Sequence, residues 1–242
     1  WQMGRLNGTW ATGLGDGARL QMRFGSTLSS SHSVTDRDES GGSNAPTRTK
    51  HDDVSQRELS LDMNGKYSQL IADRHSASAG WELQHSSRSD SRKTLENGLP
   101  TLTEFGENIE AKVQRVAFFA QDEWEWTKTF SFYVGARWEA IQTSSDSAID
   151  RVHNRSAVFT PLLHAVWKLP DSPRDQIRAS LTRSYRSPNT NQLISRPSIN
   201  NFQPDTSRPN SPTHPDRAGN PELKPELAWG LEVGYERYLA EG

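Results

Sequence analysis

Apolar and polar residues alternate along this chain in long runs. The clearest run is Lys112 to Ile141, KVQRVAFFAQDEWEWTKTFSFYVGARWEAI. In its first half the even positions Val116, Phe118, Ala120, Trp124 and Trp126 are apolar, with Asp122 the exception. The odd positions Arg115, Gln121, Glu123 and Glu125 are polar, with Phe119 the exception. Beyond Thr127-Lys128, Phe130, Phe132, Val134, Ala136, Trp138 and Ala140 alternate with Ser131, Tyr133, Gly135, Arg137 and Glu139. Side chains alternate faces along a strand, so the run predicts a hairpin with one apolar and one polar face. Each arm is about 12–15 residues long, against roughly 5–6 for an ordinary strand. Long strands ending in tryptophan point to the wall of a transmembrane β-barrel, where aromatic girdles mark the two interfaces.

The same rule divides the rest of the chain. Trp1–Thr12 and Arg19–Ser30 read as strands joined by the glycine-rich turn Gly13–Gly17, and Ser31–Asp53 reads as a long polar loop. Val54–Ile71 holds Asn64-Gly65, ordinarily a strong hairpin signal. Leu59, Leu61, Met63, Tyr67 and Ile71 nevertheless keep odd parity straight through it, which predicts one continuous strand and a turn at Ala72–His75. Ser76–Arg92 is the next strand and Lys93–Glu110 a second long loop. Ser144–Arg155 is a third loop, and Ala157–Trp167 a strand whose Pro161 should sit where no ladder donor is needed. Leu169–Asp175 is a turn, Gln176–Arg186 a strand with Ile177, Ala179, Leu181 and Tyr185 on the apolar parity, Ser187–Lys224 the longest loop, and Leu227–Leu239 the last strand. About nine strands result, with connections alternating short and long. Short periplasmic turns and long extracellular loops are the habit of outer-membrane barrels. The fold class expected is all-β, an antiparallel up-and-down meander forming part of a transmembrane β-barrel.

Composition alters this picture little. Mean hydropathy is −0.83 and hydrophobic residues make up 32%, which a barrel tolerates because half of each strand faces a polar lumen. No run of 18 apolar residues offers a transmembrane helix. The net charge of −2 argues against nucleic-acid binding. With no cysteine there is neither a disulfide framework nor a thiolate metal site.

The segment Gly219–Glu226, GNPELKPE, runs into LAWGLEVGYERY. It resembles a hallmark of the β-barrel of TonB-dependent outer-membrane receptors, in which a GNPxLKPE-like stretch leads into a strand rich in glycine and aromatics. Ala117–Glu139, Asp73–Leu83 (DRHSASAGWEL) and Leu181–Asn189 (LTRSYRSPN) resemble other parts of the same barrel. Gly219 and Asn220 suit a turn, Pro221 and Pro225 stiffen the chain, and Glu226 starts a strand, so the octapeptide is expected to be a loop-to-strand joint. The resemblance implies a barrel of 22 strands around a separate N-terminal plug. No plug or TonB box is visible, nor a closing terminal strand, so residues 1–242 are expected to be an internal piece of that barrel. Such a piece has two open edges and is not expected to stand alone in lipid.

No catalytic constellation is evident, so an enzyme is not expected. The seven histidines are dispersed, and neither a GxSxG elbow nor a phosphate-binding glycine motif occurs. His51-Asp52-Asp53 is read as a solvated loop run, and no metal or cofactor is expected. The candidate ligand residues are Arg115, Arg178 and Arg186, all on the polar parity, with Arg115 and Arg186 near the outer rim. Guanidinium forks there would suit carboxylates or catecholates; pairing with Asp or Glu on neighbouring strands is the competing expectation. The family resemblance implies an importer of a ferric siderophore or similar chelate. Its partners would be outer-membrane lipid, the small-molecule chelate and, through the plug, the TonB energy-coupling complex. The alternatives are a passive porin-like channel and a soluble β-sheet carbohydrate-binding or adhesin module.

Overall fold

In the computed structural model the described residues are 1–39, 48–101, 103, 107–147, 151–188, 192–193, 212–213, 215 and 217–238. They form one antiparallel sheet from β1 (Gln2–Gly15), β2 (Ala18–Glu39), β3 (Arg48–Ile71), β4 (His75–Glu96), β5 (Leu99–Thr101), β6 (Asn108–Glu125), β7 (Phe130–Ser147), β8 (Arg151–Leu169), β9 (Ser172–Arg186) and β10 (Glu226–Glu236). The order is β1-β2-β3-β4-β6-β7-β8-β9-β10, with β5 paired to β4 off the main path. This is the expected up-and-down meander, with its nine long strands.

The register carries the predicted faces across the sheet. One row runs Phe24, Met63, Leu83, Val116, Ala140, Ala157, and the next Met22, Gly65, Trp81, Phe118, Trp138, Phe159. The opposite face carries Asn64, Glu82, Ala117, Glu139, Val158. Glu139, Thr143, Thr160 and Val158 are buried on the polar side, whereas Leu6, Phe24, Phe118 and Trp138 are exposed on the apolar side. In a curved sheet the concave side crowds its side chains and the convex side splays them. The polar face is therefore the inner one.

The turns give the strand tilt. Arg19, beside the β1–β2 turn, pairs with Ser68, and β3 runs on to Ile71. His75, beside the β3–β4 turn, pairs with Trp124, and β6 continues to Glu125. Successive short turns thus step by about two residues per hairpin, or about one residue (~3.4 Å) per ~4.8 Å of sheet width. That stagger corresponds to a tilt of about 35°, as a barrel requires. From Phe130 to Ala140 the apolar parity of β7 covers about 33 Å of strand, about 27 Å along the barrel axis at this tilt, close to the ~25 Å lipid-facing band of such barrels. Trp124, Trp126, Phe130 and Phe132 cluster at its short-turn edge with ring centroids about 6 Å apart.

Asn64-Gly65 is not a hairpin tip: β3 passes straight through it, pairing Gly65 with Met22 and Trp81. The Trp81 indole lies over Gly65, where a Cβ would stand 2.2 Å from Trp81 Cζ2. Glycine is needed here for a flat surface under the ring. The hairpin tip is instead Asn97-Gly98, with φ of 50° and 79°, which joins β4 to β5 within the stretch expected to be loop. Both sequence exceptions find a place. Phe119 lies on the inner face over Gly80, and outward Asp122 binds His75, Nδ1 to Oδ2 2.7 Å.

The loops are where the expectation fails. Ser31–Asp53 is mostly strand, since β2 continues to Glu39 and β3 starts at Arg48. Strands likewise occupy much of Lys93–Glu110 and Ser144–Arg155, and only residues 148–150 separate β7 from β8. Within Leu169–Asp175 only Pro170 and Asp171 are outside strands. The alternation of short and long connections therefore does not hold at β7–β8. The reason is a reversal of polarity past the lipid band. There the outward positions Gln114, Lys112 and Glu110, with Gln142, Ser144 and Asp146, become polar. The inward Ile109, Ala111, Val113 and Ile141 become buried and apolar, packed with Leu193 from the segment after β9. Water now lies outside and protein inside, so the pattern read from the lipid-facing half reverses. Most of Ser187–Lys224 lies outside the described residues.

Candidate functional site

Arg137 organises the inner face. Its Nη1 and Nη2 donate to Glu82 at 2.9 and 2.6 Å, and Nη2 and Nε donate to Glu139 Oε2 at 2.7 and 3.2 Å. Glu139 is 1% exposed. It also accepts from the Tyr185 hydroxyl and, at 3.3 Å, from Ser187 Oγ. Arg115 Nε lies 3.4 Å from Glu139 Oε1. Arg137 and Glu139 come from β7, Glu82 from β4, Arg115 from β6 and Tyr185 from β9, with Ser187 just past its end, which is how a meander gathers distant residues into one cluster.

Tyr185 is the member that parity misplaces. It shares parity with Leu181, which pairs with outward Leu163, yet its hydroxyl meets Glu139 and Arg137 on the other face. The cause is Pro161. Alternate residues of a strand send their backbone groups to the same edge. The Phe159 carbonyl accepts from Arg183 of β9, so the missing N–H of Pro161 would also have faced β9. The β8–β9 ladder ends beside it, at Leu162–Thr182, which meets the expectation for this proline. Freed from β8, β9 can turn Tyr185 inward, while the Arg183 guanidinium sits 5.6 Å from the Trp229 ring centroid.

The three candidate arginines divide. Arg115 faces inward near the rim away from the short turns. Once the strand stagger is applied Arg186 stands at a similar level, but Tyr185 and Ser187 on either side of it both reach Glu139 on the inner face, so strand alternation does not carry Arg186 onto that face. Arg186 is exposed and makes no ion pair with a described residue. Arg178 sits close to the β8–β9 turn and pairs with Glu236 at 3.0 Å, in a groove shared with His164, Gln176, Ser180 and Glu232. The octapeptide Gly219–Glu226 leads directly into β10. Glu222 N donates to Asn220 Oδ1 at 2.9 Å and Leu223 N to the Asn220 carbonyl at 3.3 Å, closing a turn in which neither Gly219 nor Asn220 takes a positive φ. Asn154 Nδ2 donates to the Pro221 carbonyl at 2.8 Å, Asn220 N donates to the Gln192 carbonyl, and Glu226 after Pro225 begins β10.

Beyond the lipid band the inner face of β3 and β4 carries ion pairs: Arg48–Glu96 (2.6 Å), Arg92–Asp52 (3.0 Å), Lys50–Asp52 (3.3 Å) and Arg88–Asp90 (2.9 Å). Burial pushes the Asp52 carboxyl up, but hydrogen bonds from Thr94 and Arg92 and the neighbouring positive charges outweigh it and hold Asp52 below the usual range. The exposed His51 imidazole is raised by its hydrogen bond to Asp36. Among the described residues no group of three or more metal-ligating side chains converges.

Long tilted strands, an outer apolar band with an aromatic edge and an ion-paired inner face define the wall of an outer-membrane β-barrel. The family model for the TonB dependent receptor-like β-barrel matches residues 2–242, and the chain belongs to that family. Solved structures agree in fold. A copper transporter, OprC, matches with a TM-score of 0.63 at 13% identity, over 96% of this chain and 37% of its own. The ferric-catecholate import receptor Fiu of E. coli K12 matches at 0.57 and 16% identity, over 96% and 38%. The FpvA receptor of P. aeruginosa bound to pyoverdine matches at 0.56 and 14%, over 96% and 30%. The chain thus spans about a third of the length of these structures. No curated protein sequence matches it.

Proposed function

We propose that this segment forms part of the ligand-facing wall of an importer that takes up an anionic metal chelate, driven by the TonB energy-coupling complex through a plug domain. The observation that supports the reading is Arg115 on the inner face near the rim away from the short turns, with Arg186, free of any described acidic partner, at a similar level of the wall. Paired guanidinium groups suit carboxylate or catecholate oxygens. Fiu and FpvA, which share the fold, are described with ferric-catecholate and ferric pyoverdine. Arg178, neutralised by Glu236 near the periplasmic turns, is assigned to the lower wall and a lesser part in binding.

Replacing Arg115 and Arg186 together by Ala in the full-length protein should weaken binding of an anionic ferric chelate by about 1.5–3 kcal/mol per charged hydrogen bond lost. Affinity by titration, and uptake with and without the energy-coupling complex, test the proposal. Unchanged affinity would assign both arginines to structure. Uptake that persists without the complex would make the barrel a passive channel.

A further inference from the structure

We propose that the outer surface of this wall carries a binding belt for the phosphate-bearing headgroups of outer-leaflet lipid, built on Arg57, Lys112 and Arg155. These residues lie on β3, β6 and β8, on the parity that faces lipid lower down. Arg57 and Arg155 are the next outward positions after the last apolar ones, Leu59 and Ala157, and Lys112 is the second after Val116, beyond Gln114. With the strand stagger applied, all three fall at one level, directly above the apolar band. Each is two strands from the next along the sheet path, about 10 Å of sheet width.

None of the three has a partner among the described residues. On the inner face Arg48, Arg88, Arg92 and Arg137 all pair with carboxylates. Farther out on the same outer surface, Arg151 pairs with Asp146 at 2.9 Å. Arg57, Lys112 and Arg155 are exposed and make no ion pair or hydrogen bond with a described residue. The residues between them are small or neutral: Ser87 is opposite Lys112, Ser89 opposite Arg57, and Gln142 opposite Arg155. Between β3 and β6 these leave a groove of about 230 Å³ lined by Arg57, Leu59, Ser87, Ser89, Glu110 and Lys112. Such a bay has cations on two strands, hydroxyls between them, and an apolar lower edge continuous with the lipid band. That matches an anionic headgroup whose acyl chains lie against the band. Glu110, on the side away from the membrane, opposes an anion and limits its affinity.

The test is native mass spectrometry of the full-length protein in neutral detergent with EDTA, so that divalent cations cannot bridge. The probes are bisphosphorylated lipid A and the same lipid stripped of phosphate. The wild type should bind the phosphorylated form about tenfold more tightly, and equimolar inorganic phosphate should not displace it. Replacing Arg57, Lys112 and Arg155 together by Ser should abolish the preference, Arg151→Ser should leave it intact, and Glu110→Gln should enlarge it. Folding of each variant is read from heat-modifiable gel mobility, and the single replacements, each expected to reduce the preference, stand in if the triple variant does not fold. Equal binding of the two lipids by the wild type, or a preference that survives removal of the three cations, would overturn the proposal.

Discussion

Glu139 is the residue whose loss should most disturb this wall. It is 1% exposed and takes hydrogen bonds from Arg137, Tyr185 and Ser187, with Arg115 alongside. Glu139→Ala leaves Arg137 its two bonds to Glu82, so that guanidinium is not orphaned. The Tyr185 hydroxyl loses its acceptor and Arg115 its paired charge, and the charges of Arg115 and Arg137 then face each other without the carboxylate between them. Charged hydrogen bonds contribute about 1.5–3 kcal/mol each, and breaking a buried pair from one side costs about 3–5 kcal/mol. The expected loss is therefore about 3–5 kcal/mol. Glu139→Gln, which keeps an acceptor but not the charge, should fall between Ala and wild type. Glu123→Ala supplies the control, because Glu123 is an exposed glutamate on the same inner face of β6. Urea midpoints followed by heat-modifiable gel mobility of the full-length protein measure all three. If Glu139→Ala costs no more than Glu123→Ala, the cluster contributes nothing and the burial argument fails.

Two further outcomes test the faces. Val134 lies near the middle of the outer apolar band and Phe130 at its edge; Val134→Lys should destabilise by about 2–4 kcal/mol and Phe130→Lys by about 0–1 kcal/mol, measured by the same unfolding assay, and equal costs would displace the band. At Gly65, a Cβ meets the Trp81 ring at 2.2 Å, so Gly65→Ala should cost about 1–3 kcal/mol through displacement of the indole; in a double-mutant cycle read by the same unfolding assay Trp81→Ala should remove the penalty, and a penalty that persists would refute the contact.

Much of the candidate site was legible before its geometry was known. Arg115, Arg137, Glu139 and Glu82 fall on polar parity, and cross-strand pairing follows once the turns are placed. Tyr185 was not legible, because its parity is that of lipid-facing Leu181. Only the end of the β8–β9 ladder at Pro161 lets it turn inward, and no periodicity encodes that. The loop expectation failed for a related reason. Asn97-Gly98 was an available hairpin signal, and Ile109, Ala111, Val113 alternate as a strand should. Their phase is opposite to that of the lipid-facing half, so a reading tied to one apolar parity ends the strand too early.

The sequence by itself determined the faces, the meander and the family, because strand periodicity is local and the pleat sends every second residue outward whatever surrounds it. It also determined that Asn64-Gly65 lies within a strand, since a turn there would have broken a parity that continues on both sides. The tertiary structure alone decided which residues meet. Register brings Glu82, Arg115, Arg137 and Glu139 together from strands far apart in sequence, and stagger brings Arg57, Lys112 and Arg155 to one level. It also decided where the strands stop, because their length beyond the lipid band is set by pairing with neighbours and by the packing of Leu193 over Ile141 and Val113, interactions that no single segment contains.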